Sequence, residues 1–315
     1  RKDFSDTPIT PLLKSLEVNT LPTGLDLPTN TVTMGVRIRS DRLQPTIELS
    51  VRIRNSLEEH IDYPLGNLSS TGWVDLNTNL INRGHEAFLS NTPLSMVSLQ
   101  IRETSTDKPL SSGSFIVDHI TAINSSGNRT IVENFDSISG WQILHATSSA
   151  LSDKLNKSTS VSNLEPGSAI FSWSSGEPLT PRGIFPGPTI SPLPVLASVE
   201  FSNSTNYVKG DTLDVSISGI KIPVRIIDVI SFFPTIKAQD DLFLVSDLNS
   251  LRKHTNLGGF SNTLPPIELW ISTAEESPGI SLSKQLSEVP DYRATGIVDR
   301  ASILAKSKVD PLVEA

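Results

Sequence analysis

The chain contains no cysteine, which excludes a disulfide framework, a thiolate metal site and a cysteine nucleophile. Long apolar runs are missing as well. No stretch of about 18 or more hydrophobic residues occurs, and the opening RKDFSDTPIT lacks the apolar core of a signal peptide. The 315-residue chain is therefore expected to be soluble by itself, and its two ends, RKDFSDTPIT and DPLVEA, read as cuts within a longer polypeptide. Basic residues are in deficit, 26 Lys and Arg against 34 Asp and Glu, for a net charge of -8 and a pI near 5.2. A nucleic-acid or anionic-membrane surface calls for the opposite imbalance, so nucleic acid is not an expected partner. Short catalytic signatures are absent too: no G-x-S-x-G elbow, H-E-x-x-H pair, Walker A loop or dinucleotide glycine fingerprint is present.

What the chain does have is 22 prolines and few charges, 19% of residues, a balance that favours strands and turns over long charged helices. Its length suits two or three domains, each with its own core. Within VTMGVRIRS and TIELSVRIRN apolar and polar residues alternate. Val32, Met34, Val36 and Ile38 fall on one face, as do Ile47, Leu49, Val51 and Ile53, the mark of half-buried antiparallel strands. Arg37, Arg39, Arg52 and Arg54 occupy the opposite faces. Solvated strand surface is the expectation for them, with an anionic-ligand groove as the alternative.

The segment GNLSSTGWVDLNTNL follows, with a Gly before a Trp, and PLSMVSLQIRE and GSFIVDHITAI give two further strands. This series, with a Gly-Trp pair in mid-domain and Asp118 in the closing strand, resembles jelly-roll carbohydrate-binding-like modules, in which such an Asp serves structure or a calcium site. The polar turn NSSGNRT reads as a domain boundary. Beyond it, ENFDSISGW again resembles the opening strand of a jelly roll, and SAIFSWSSG alternates like a strand, so a second, abbreviated module is expected. The Pro- and Gly-rich stretch from Glu177 to Leu196 reads as an extended connector. The expected organisation is a linker over 1–14, a jelly-roll-like β-sandwich over 15–125, a second β-rich module with its connector over 130–190, and a smaller α+β membrane-proximal domain over 191–315.

In that last region LPVLASVEF gives a short strand, and VKGDTLDVSISGIKIPVRIIDVI a hairpin with Gly219 at its turn and Gly210 at positive φ before it. DLFLVSDLNSLRKH is a strand running into a helix capped by Ser246 or Asp247, with Leu248 and Leu251 on one face. PPIELWIST is a strand, SLSKQLSEV a short helix, YRATGIVDRA a strand and SILAKSKVDPLVEA a helical exit. The order resembles the extracytoplasmic domain of bacterial FtsX/MacB-like ABC-transporter permeases, best over 193–315, where a similar Asp-Pro-Leu leads into a membrane helix. The resemblance implies a non-catalytic domain at the extracytoplasmic face of the cell membrane. It also implies ATP hydrolysis by a separate cytoplasmic subunit, and motion relayed from the membrane helices to an external protein, lipid or glycan.

Candidate chemistry in the sequence is sparse. Glu58 and Glu59 beside His60, and Asp240 with Asp241, are carboxylate pairs in sequence, but neighbours along a strand point apart. His254 beside Lys253 reads as a surface helix end, its charge suiting the helix C-terminus. Trp73 and Trp141 each follow a glycine and read as core rings, with a sugar-stacking platform as the alternative. The Asn-x-Ser/Thr triplets at Asn67, Asn124, Asn128, Asn156 and Asn203 reflect composition more than glycan acceptors. No catalytic, cofactor-binding or metal-ligating residue is assigned, and no cofactor or enzymatic activity is expected. The alternative to the permease reading is a secreted carbohydrate-binding or adhesion module.

Overall fold

The computed structural model describes residues 15–16, 24–81, 84–105, 108–144, 152–158, 167–176, 182–188, 191–217, 220–231, 233 and 242–258. The protein is mostly β. The alternating apolar rows build two sheets that share one core. The first sheet runs, in spatial order, β4 (His60–Leu68), β3 (Gln44–Arg54), β6 (Ser95–Glu103), β12 (Arg182–Pro186) and β9 (Trp141–Leu144), with the short β1 (Leu25–Asp26) also on β6. The second runs β10 (Lys154–Lys157), β11 (Ala169–Trp173), β7 (Gly113–Asn124), β2 (Thr31–Ser40) and β5 (Val74–Asn79), with β8 (Arg129–Glu133) on β7. Every pairing in both sheets is antiparallel.

Met34, Val36 and Ile38 of the second sheet and Ile47, Leu49, Val51 and Ile53 of the first all lie in the shared core, nearly free of solvent. Hydrophobic burial of this kind contributes roughly 1.5–3 kcal/mol per large side chain. Aromatic rings thicken one end, where Phe115, Phe171 and Trp173 sit with centroids 5.7–6.0 Å apart. The two sheets are also tied by a buried ion pair. Arg182, at the start of β12 in the first sheet, donates from Nε to Asp153 Oδ2 at 2.9 Å and from Nη2 to Asp153 Oδ1, just before β10 in the second. Both side chains are fully buried.

The expected boundary at NSSGNRT is corrected by this topology. The turn joins β7 to β8 within one sheet, and the strands that follow return to the sandwich already begun: β11 pairs with β7 and β12 with β6. The described strands between 130 and 190 therefore belong to the same sandwich. The reason is local. The ENFDSISGW segment carries the chain from β8 in one sheet to β9 in the other, and Glu133 pins the crossing. Its Oε1 accepts from Phe135 N at 2.7 Å and its Oε2 from Trp141 Nε1 at 3.0 Å. Phe135, at φ 53°, is buried against Trp141 with centroids 4.9 Å apart. Gly167 leaves the room this needs, since a Cβ there would come within 2.5 Å of the Phe135 carbonyl carbon.

A third, four-stranded sheet follows, in the order β14 (Thr212–Ile217), β15 (Ile220–Ile230), β13 (Leu193–Ser198), β16 (Leu244–Val245). The pair β13–β15 is parallel, and the other two pairs are antiparallel. Besides α1 (Glu86–Ser90) within the sandwich region, two helices among the described residues belong here, α2 (Val199–Thr205) after β13 and α3 (Leu248–Asn256) after β16. Ser198 Oγ caps α2 by accepting from Phe201 N, and Asp247 caps α3 by accepting from Ser250 N at 2.7 Å. Gly210 has φ 98°, as the turn chemistry requires. Leu193, Val195, Ile222, Val224 and Ile226 form the core of this unit, with Leu251 packed on it. Leu248 is exposed, so α3 turns only the second of its two leucines inward. The turn at Gly219 and the elements expected over PPIELWIST, SLSKQLSEV, YRATGIVDRA and SILAKSKVDPLVEA lie outside the described residues.

The end of α3 docks on the outer side of the first sheet. Leu257 packs with Val97, Leu144 and Phe185. Its carbonyl accepts from Ser98 Oγ at 2.8 Å and from Gln100 Nε2 at 3.2 Å. Among the described residues no helix is long and apolar enough to cross a membrane.

Candidate functional site

The most distinctive polar surface is the outer face of the second sheet. Strand β5 forms its rim and, with Trp73 just before it, presents Trp73, Asp75, Asn77 and Asn79 at alternate positions, the period that puts residues on one face. The neighbouring strand β2 presents Arg39, Arg37 and Gly35 beside them, with Arg37 opposite Asp75 and Gly35 opposite Asn77. On the far side of β2, β7 adds His119 opposite Arg37 and Thr121 opposite Gly35. An irregularity in the β2–β7 register at Arg37/Ile38 brings Asp118 and His119 together under this face.

Its charges are interlocked. Arg37 Nη1 donates to Asp75 Oδ2 at 2.8 Å, and Arg129 from β8 lies 3.9 Å from the other Asp75 oxygen. Arg129 Nη2 is 3.1 Å from His119 Nε2, whose Nδ1 is 2.8 Å from Asp118 Oδ2. A neutral imidazole protonated on Nδ1 satisfies both contacts, accepting from the guanidinium and donating to the carboxylate. The guanidinium carbons of Arg37 and Arg39 lie 5.9 and 5.4 Å from the centroid of Trp73, within cation–π range. Gly35 lets its neighbours approach closely. A Cβ there would sit 2.3 Å from Asn77 Oδ1 and 2.8 Å from Thr121 Oγ1.

The structure separates the four arginines that the sequence grouped by alternation. Arg37 and Arg39 share the Trp73 face. Arg52 and Arg54 lie in the other sheet, and Arg52 is 0% exposed, against the expectation of solvated surface, with Nη1 3.1 Å from both oxygens of Asp62. Burial lowers the Arg52 pKa and raises that of Asp62, in each case against the attraction of the partner. His60, also half-buried, is brought down to about 4, first by desolvation and then by the positive charges of Arg52 and Arg54.

The carboxylates beside His60 do not converge. Glu58 lies at the β3–β4 turn with φ 61° and is 3.7 Å from Arg54, whereas Glu59 accepts from Asn55 Nδ2 at 2.6 Å. Asp240 and Asp241 lie outside the described residues. Asp118 is fully buried and bonded to His119, and among the described residues no group of three or more His, Cys, Asp or Glu side chains is placed to hold a metal ion. Trp141 is the core ring expected, and Trp73 is half-buried. The reading of His254 as a surface residue is corrected. It is buried, with Nδ1 2.7 Å from the Ser250 carbonyl and Nε2 3.0 Å from the Ser191 carbonyl, because α3 turns this side toward the residues just before β13. His119 and Arg129 were not foreseen, since ten residues separate them and only the β7–β8 hairpin brings them together.

No protein-family model matches the chain, and no curated protein matches it in sequence.

Proposed function

We propose that the chain is the extracytoplasmic part of an FtsX/MacB-like ABC-transporter permease. It is a non-catalytic relay between membrane helices and an external partner, and ATP is hydrolysed by a separate cytoplasmic subunit. The sandwich is read as jelly-roll-like, because its chain passes repeatedly from one sheet to the other. The reading rests first on the sequence resemblance over 193–315. The observation that supports it most is the docking of the α+β unit on the sandwich through Leu257, Ser98 and Gln100. A relay needs stiff units joined at a defined contact, and a helix end held by two buried donors supplies one.

The absence of cysteine from these 315 residues gives a test once any cysteine elsewhere in the reading frame is replaced by serine. Leu57, 63% exposed in the β3–β4 turn, is replaced by cysteine in the full reading frame, and intact cells are treated with a membrane-impermeant maleimide. Labelling without permeabilisation, in a frame that also encodes apolar spans of about 20 residues, is expected. Labelling only after permeabilisation, or a frame without such spans, sinks the reading.

A further inference from the structure

We infer that His254 is a proton-operated clasp at the joint between the sandwich and the α+β unit. With a proton on each ring nitrogen it holds α3 to the backbone just before β13, and the loss of one proton loosens that hold. This goes beyond the relay role and holds whether or not the chain belongs to a transporter.

Both ring nitrogens face acceptors. Nδ1 lies 2.7 Å from the Ser250 carbonyl, one turn back on α3, and Nε2 lies 3.0 Å from the Ser191 carbonyl. A carbonyl oxygen only accepts, and a neutral imidazole has one N–H and one lone pair. The two contacts are therefore both hydrogen bonds only in the imidazolium form. In the neutral form one nitrogen turns its lone pair on a carbonyl oxygen, whichever tautomer is chosen, and at 6% exposure water has little access to relieve it. His119 is the contrast, since a donor and an acceptor face its ring and the neutral form suits both.

The surroundings accept the cation. His254 stands in the last turn of α3, where the helix carbonyls favour positive charge. The helix packs on β13 and β15, and the side chains that meet Leu251 there, Leu193, Val195, Ile222, Val224 and Ile226, carry no titratable group. Of the described charged side chains of β15, Arg225 stands on the opposite face by alternation, and Asp228 is paired with Lys209. Where α3 ends against the sandwich, Val97, Ser98, Gln100, Leu144 and Phe185 carry no titratable group either. On α3 itself the charged neighbours are Asp247, engaged as the cap, with Arg252 and the exposed Lys253.

The position gives the proton something to control. Ser191 lies between β12, which ends at Pro186, and β13, which begins at Leu193, so the chain passes from the sandwich to the α+β unit here. A turn beyond His254, Leu257 docks back on the sandwich. The imidazolium thus ties the incoming backbone to the helix that makes the return contact. Histidine is the side chain that gains and loses its second proton between about pH 5 and 8, so ordinary acidification tightens the joint.

The test uses the 315-residue chain with isotope-labelled histidine. Proton–nitrogen correlation of the ring nitrogens is followed from pH 5.5 to 8.0, and the resonances that His254→Gln removes are those of this ring. Two protonated nitrogens at pH 5.5 and one at pH 8.0 are expected. Amide exchange in α3, corrected for the intrinsic effect of pH, should be about threefold or more faster at pH 8.0 than at pH 5.5. His254→Gln, which takes up no proton, should show no such change. A single protonated nitrogen at pH 5.5, two that persist at pH 8.0, α3 exchange independent of pH, or the same change in His254→Gln would each overturn the proposal. If that variant does not fold, the ring is assigned through the parent's backbone resonances and the two midpoints decide. Proton loss and faster α3 exchange at the same pH support the clasp, and midpoints more than about one pH unit apart overturn it.

Discussion

Ser98, in the middle of β6, donates its hydroxyl to the carbonyl of Leu257 at the end of α3, 159 residues away in sequence and 2.8 Å away in space. Gln100 donates to the same oxygen, and neither group is exposed to water. Replacing both donors by alanine leaves a buried carbonyl without them, which costs on the order of 1–3 kcal/mol. The loss should be local. Amide exchange is expected to quicken in α3 and β13 while the sandwich core stays protected, and uniform acceleration throughout would contradict the docking role.

The Arg182–Asp153 pair joins the two sheets where no water can compensate for a missing partner. Asp153→Ala is expected to destabilise the sandwich by about 3–5 kcal/mol, read from chemical denaturation. The double change Asp153→Leu with Arg182→Met removes both charges and should recover much of that loss. A single variant within about 1 kcal/mol of the parent would refute this account.

His60 makes stability pH-dependent in a defined direction. Its folded pKa lies near 4, below the ordinary 6.5, so the unfolded chain takes up the proton first. The stabilisation is complete above pH 6.5 and is lost as pH falls toward 4, by roughly 3 kcal/mol in all. Asp62, raised by burial, acts in the opposite sense in acid, so the comparison must be made against His60→Gln. Between pH 7.5 and 4.5 the parent should lose more stability than that variant, and parallel curves would exclude the assignment.

Gly35→Ala places a methyl group between Asn77 and Thr121, within 2.8 Å of both. Overpacking of this kind costs about 1–3 kcal/mol. Because Arg37 and Trp73 occupy the same face, a change in tryptophan fluorescence should accompany the shift in the denaturation midpoint, and an unchanged midpoint would show that the neighbours yield freely.

The strands and their inward faces were legible because alternation is a local property: Ile47, Leu49, Val51 and Ile53 are buried as their spacing says. The helix cap at Asp247 and the positive φ at Gly210 were legible for the same reason, each depending on a few adjacent residues. What alternation does not contain is the partner of the opposite face. Arg52 and Arg37 look alike in the sequence, yet one is sealed against Asp62 and the other stands beside Trp73. The split at NSSGNRT failed similarly. A polar hairpin turn and a domain linker share a composition, and only the long-range pairing of β11 with β7 tells them apart. The candidate face was visible only as separate parts, Trp73 and two arginines, because His119, Arg129 and Asp75 join it through three different strand pairings.

The central place of β12, between β6 and β9, bears on how the protein is made. A nascent chain emerges N-terminus first, so β9 and β6 are available before the strand that must lie between them. The first sheet cannot close until Pro186 has left the ribosome, and β13 begins at Leu193, only a short way behind. Completion of the sandwich and the start of the α+β unit are thus nearly simultaneous events in synthesis. A truncation placed anywhere between β7 and β12 would release an unfinished sheet with an open seam, prone to pairing with its neighbours.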